Sequence, residues 1–180
     1  MKEERVDPSV PEERQALPPL SVPTTLMEGF ITGIIGAGVV AAWFLLLDTI
    51  QQVPLWTPSL LGTVLFKGAD AAASHSQVDP GMVAAYTLVH HAAFIGVGII
   101  ASFLVSEIER IPPLGIALVF LFVFFETAFQ IFLLAMGEPL LGGVWGVAIA
   151  NLLAAAAMAA YLWYRHPAVL THFSRIWHEE

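Results

Sequence analysis

The chain has 180 residues, 57% of them hydrophobic and 12% charged, with a net charge of −8. A soluble domain carries about 25% charged residues, so this much apolar surface calls for lipid as its solvent, and the seven basic residues form no patch fit for nucleic acid. There is no cysteine, which excludes disulfides, iron–sulfur clusters and thiolate metal sites and leaves His, Asp, Glu, Asn and Gln as ligands.

Residues 1–25, MKEERVDPSVPEERQALPPLSVPTT, are polar and proline-rich. Proline at that density forbids a long helix, so the expectation is a tail. No apolar region precedes a small-residue cleavage site, so a cleavable signal peptide is not expected. A first membrane span is expected from Leu26 to Leu47. Gly29, Gly33, Ala37 and Ala41 recur along it every four residues and make a smooth face for close helix contact, more in keeping with packing inside the chain than with dimerisation. Beyond Asp48, Thr57-Pro58 has the form of an N-cap followed by proline at the first helical position. The apolar stretch after it is too short to span, so it reads as a short outer interfacial helix anchored by Trp56. A polar loop leads to Gly81.

The second span is expected at Met82–Val105, followed by the tight turn SEIERIPP. The third, Leu114–Met136, holds six of the twelve phenylalanines. After GEPLLGG the fourth runs from Leu141 to Trp163, with Gly146, Ala150 and Ala154 as a second small-residue face. Arg165-His166 stops it. The fold class is thus all-α: a four-span bundle over residues 26–166. Residues 167–180 space Val169, Leu170, Phe173, Ile176 and Trp177 as an amphipathic surface helix. Lys2, Arg5, Arg14, Arg110, Arg165 and Arg175 fall on one side of such a bundle and Lys67 on the other, which puts both termini in the cytoplasm.

Ionisable groups within hydrocarbon are costly and mark candidate functional positions. Span two carries His90 and His91, span three Glu126 and Gln130 one turn apart, and span four Asn151. At 1.5 Å per residue, all lie roughly 9–15 Å below the outer helix ends, in one layer. Thr87, His91, Gly98 and Ser102 share a small, polar stripe, so His91 is expected to face the interior and His90 a groove or a second chain. Three uses suit such a cluster. Imidazole and carboxylate could bind zinc, iron or manganese, although the di-iron bundle pattern of paired Glu-x-x-His is missing. A haem with a single axial histidine, or one shared between chains, fits better than a bis-histidine site on two neighbours of one helix. A Glu and a His together could also pass a proton or hydrogen-bond a quinone. Against all three stands plain helix pairing through hydrogen bonds. Asp48 is peripheral, expected to cap the first span or to pair with Lys67. His75, His166, His172 and His178 are expected to be solvated. No nucleophile elbow, phosphate loop or zinc-protease motif occurs.

The run WFLLLD, then PLWTPSLLG, then HHAAF followed by G-x-G, and finally NLLAAAAMAAYLW resembles a group of small bacterial membrane proteins over residues 27–167. The resemblance implies a bacterial inner-membrane location and a stand-alone four-span unit. No activity is known for that group, so it brings no cofactor or site. The expectation is therefore a non-catalytic subunit of a larger membrane complex, respiratory or photosynthetic, with lipids and partner subunits or further copies around it. The alternative is a metal- or quinone-dependent redox protein using His90, His91 and Glu126.

Overall fold

The computed structural model describes residues 21–108, 111, 114–136 and 143–167. Among them all regular structure is helical: α1 Val22–Ile50, α2 Trp56–Lys67, α3 Ala69–Ala73, α4 Pro80–Ile108, α5 Gly115–Met136 and α6 Gly143–Arg165. By length and composition α1, α4 and α6 are able to cross a membrane. The 29 residues of α1 and of α4 make rods about 44 Å long, against a hydrocarbon core of about 30 Å. α5 is apolar over a shorter stretch, Gly115–Ile131.

α1 begins at Val22 with proline in its first turn, where the missing N–H costs nothing. Helix therefore takes the last four residues assigned to the tail. The rest of the tail and the proposed C-terminal amphipathic segment, from residue 168 on, lie outside the described residues.

Glycine decides how α1 meets α4. A Cβ on Gly29 would stand 2.5 Å from the Cα of Ile99, and one on Gly33 would run into the backbone of Phe94 and Ile95. From the other side, a Cβ on Gly98 would strike the backbone of Gly29 and Gly33. The two helices thus touch backbone to backbone, the close approach that small residues allow in lipid. Ala37, with no exposed surface, continues the seam. Ala41 does not: it is exposed. Gly36 takes its turn instead, packed under Met158 and Phe94.

α6 lays a stripe against this pair. Gly146, Val147, Ala150, Ala154, Met158 and Leu162 are all buried, so the expected small-residue face is present and extends a further two turns. α2 is a helix where one was expected, but its apolar side faces inward. Leu60, Leu61 and Val64 join Val40 and Phe44 of α1 and Val147, Ala150 and Ala154 of α6 in one core. Gly62 sits directly on the Met82 carbonyl in the first turn of α4.

α5 is different. Between residues 119 and 125 all but Leu121 are exposed, among them Phe120 at 66% and Phe124 at 67%. Residues 122–125 cover more than a full helical turn, and the exposure is greatest at Phe124, on the same side as Phe120, and least at Phe122 and Phe125. The helix is held by Leu114, Leu118 and Leu121 against Val105, Ile108 and Leu162 near one end, and by Phe129 further along.

Candidate functional site

The apolar spans position their polar side chains in separate places. On α5, Glu126 and Gln130 are one turn apart, so they share a face, and that face meets α6 at Asn151. Gln130 Nε2 donates to Glu126 Oε1 at 2.8 Å, and Asn151 Nδ2 donates to Glu126 Oε2 at 2.6 Å. Both carboxylate oxygens are thus taken by amide N–H groups. Gln130 Oε1 is buried without a hydrogen-bond partner among the described residues, as is Trp43 Nε1.

The two histidines of α4 do not join that group. His90 Nε2 lies 3.2 Å from the Ala37 carbonyl of α1, and so must donate to it. Its ring is stacked on Tyr86 at 5.6 Å and tilted against Phe94 at 4.8 Å. His91 instead turns back along its own helix, with Nδ1 2.8 Å from the Thr87 carbonyl. The inward imidazole is therefore His90, the reverse of the expectation. The stripe behind that expectation does face α1 lower down, where Gly98 meets Gly29 and Gly33, and Ser102 donates to the Thr25 carbonyl. Helices packed through ridges and grooves cross at an angle, so a turn or two higher the contact has moved round α4 onto the His90 side. Among the described residues no three His, Asp or Glu side chains stand together as a metal would need.

Asp48 caps a helix, but not the expected one. The carboxylate is fully buried. Oδ2 accepts from the Thr57 backbone N–H at 2.8 Å and Oδ1 from the Thr57 hydroxyl at 2.6 Å. A carboxylate at a helix N-terminus satisfies an orphan donor and meets the positive end of the dipole. Thr57 is accordingly the second residue of α2 and not its cap; the position before the helix is Leu55, held at φ 67°. Lys67 pairs with Asp79 at 3.0 Å. That hydrogen bond, helped by the Met82 N–H, holds the exposed Asp79 carboxyl below its ordinary range.

Two histidines expected in solvent have partners. His75 Nε2 lies 3.1 Å from Ser59 Oγ, and its ring meets Trp56 edge-on at 4.8 Å. Ser59 Oγ also accepts from the Asp79 N–H at 2.8 Å, so one buried hydroxyl ties the loop to α2. At the opposite end His166 Nε2 lies 3.0 Å from Glu28 Oε2, and Arg165 donates twice to Glu28 Oε1, at 2.9 and 2.7 Å. Glu28 is 7% exposed. Sequence reasoning passed over it, although the signal was there: a single carboxylate beside Gly29 in an apolar helix, and a basic pair closing the last span on the same side.

No protein-family model, curated protein or solved structure matches the chain.

Proposed function

We propose that the chain is a four-span protein of the bacterial inner membrane, with both termini in the cytoplasm, which serves as a non-catalytic subunit of a larger membrane complex. α5 supplies the fourth span. The observation that carries the reading is α5 itself. α1 and α4 are packed backbone to backbone with α6 laid against them, while α5 leaves Phe120 and Phe124 about two-thirds exposed on one side. In lipid, helices gain from one another through close van der Waals packing, and α5 has much of that packing still to make. A second chain running beside Phe120 and Phe124 would provide it. The polar side chains support the same reading. His90, Glu126, Gln130 and Asn151 spend hydrogen bonds on joining turns and helices, which is work a scaffold needs.

Native mass decides the matter. Solubilised in mild detergent from the membranes where it is made, the chain should migrate well above its own 19.5 kDa, together with other polypeptides in fixed ratio. A lone monomer would refute the proposal.

A further inference from the structure

At the end of the bundle where α1 begins and α6 finishes, the two helices leave an open groove of about 410 Å³. Its wall changes character with depth. Thr24, Glu28 and Arg165 make the polar part, and Met27, Ile31 and Tyr161 the less polar part. α1 is about 14 Å longer than the hydrocarbon core, which leaves about 7 Å at each end among the headgroups. Thr24 is about 3 Å from the start of the helix and Ile31 about 14 Å, so the groove runs from the headgroup layer into hydrocarbon. On α6, Trp163 and Tyr164 are exposed just before Arg165, and such aromatic side chains mark the same boundary.

Arg165 comes to this groove with donors to spare. Nε and Nη2 both donate to Glu28 Oε1, and His166 Nε2 lies 3.0 Å from Oε2. The ion pair is thus closed along one edge of the guanidinium. Nη1, on the other edge, has no partner among the described residues, and the side chain is 44% exposed. Two N–H groups of a planar cation therefore stand free at headgroup depth. Glu28 holds that plane in place, and the width of the guanidinium separates its carboxylate from an anion on the free edge.

We propose that the groove holds one membrane phospholipid, its phosphate on the Nη1 edge of Arg165 and an acyl chain laid along Met27 and Ile31. The guanidinium fork matches phosphate geometry, and basic pockets between spans take lipid headgroups. A free anion would use the polar mouth and leave the apolar wall bare, whereas a phospholipid uses both. The assignment rests on α1 and α6 lying in a membrane and not on the subunit reading, since a lone chain offers the same groove.

The probe is phosphatidylglycerol, titrated into the purified full chain in mild detergent and followed by native mass spectrometry. One molecule should stay bound under activation that strips the detergent. A diacylglycerol with the same chains, and inorganic phosphate alone, should not. Arg165→Lys keeps the charge but gives up the second edge, and should weaken binding about tenfold, the size of one charge-assisted hydrogen bond. Met27→Trp, at a position 60% exposed, fills the apolar wall without touching the Glu28 pair. It should weaken binding similarly at an unchanged thermal midpoint, and it carries the test if Arg165→Lys fails to fold. Phe124→Ala, away on α5, should bind as wild type. The proposal is overturned if no lipid is retained, if the diacylglycerol is held equally well, or if Met27→Trp keeps wild-type affinity. It is overturned as well if a photo-crosslinker on Met27→Cys, in a chain with no other cysteine, joins residues 1–20 or a second copy in preference to the added lipid.

Discussion

α1 and α5 are both long apolar helices, yet they are built to opposite rules. α1 uses glycine and alanine to bring its backbone against α4 and α6, and its buried face runs from Thr25 to Asp48. α5 uses phenylalanine and leaves Phe120 and Phe124 largely outside. The comparison teaches that hydrophobicity alone does not fix a helix in a membrane. Lipid wets phenylalanine as well as protein does, so what holds α1 is the closeness that small residues permit, and what holds α5 is a few leucines and one carboxylate.

The sharpest way to break the contrast is to fill the α1 seam. Gly33→Leu must push α4 away from its backbone contact, and overpacking of this kind costs about 1–3 kcal/mol or more. Loss of the folded fraction in size-exclusion chromatography should follow, whereas Gly38→Leu, on the same helix but in open space, should behave as wild type. Glu28→Gln comes next. It leaves Arg165 and His166 without their carboxylate, and a thermal midpoint lower by several degrees is expected. Asp48→Ala removes the cap of α2 and should cost about 1–2 kcal/mol, read by thermal melting. On α5 the outcome should invert. Phe124→Ala should shift the stability of the isolated chain by under about 0.5 kcal/mol, while reducing the share of the chain that migrates with partners.

The smallest effect is at the segment between α2 and α4. The Asp79 pKa is lowered by Lys67, so the contribution of this pair is complete above the ordinary carboxylate range. It fades only as pH falls through the lowered value. Protease nicking between residues 68 and 79 should therefore rise only at strongly acidic pH, and Lys67→Ala should move that rise toward the ordinary carboxylate pKa.

Much of this architecture was legible in the sequence because hydropathy and helical spacing are local properties. The apolar runs, the four-residue recurrence of Gly29, Gly33 and Ala37, and the pairing of Glu126 with Gln130 all follow from one helix at a time. What stayed hidden depends on two helices at once. Ala41 continues the spacing but not the contact, because crossing helices part company. His90 and His91 differ by a rotation of about 100°, and only the crossing of α1 over α4 decides which of them looks inward. Asp48 belongs to α1 in sequence but does its work on α2, nine residues on. Glu28 was overlooked because its partners are 137 and 138 residues away.

That last separation has a bearing on how the protein is made. The carboxylate enters with α1, and its partners Arg165 and His166 emerge only at the end of α6. Every chain spends most of its synthesis with one charge unanswered, and only a finished one can close the account. The join of Glu28 to Arg165 is in effect a check on completeness, which any product cut short before the end of α6 fails.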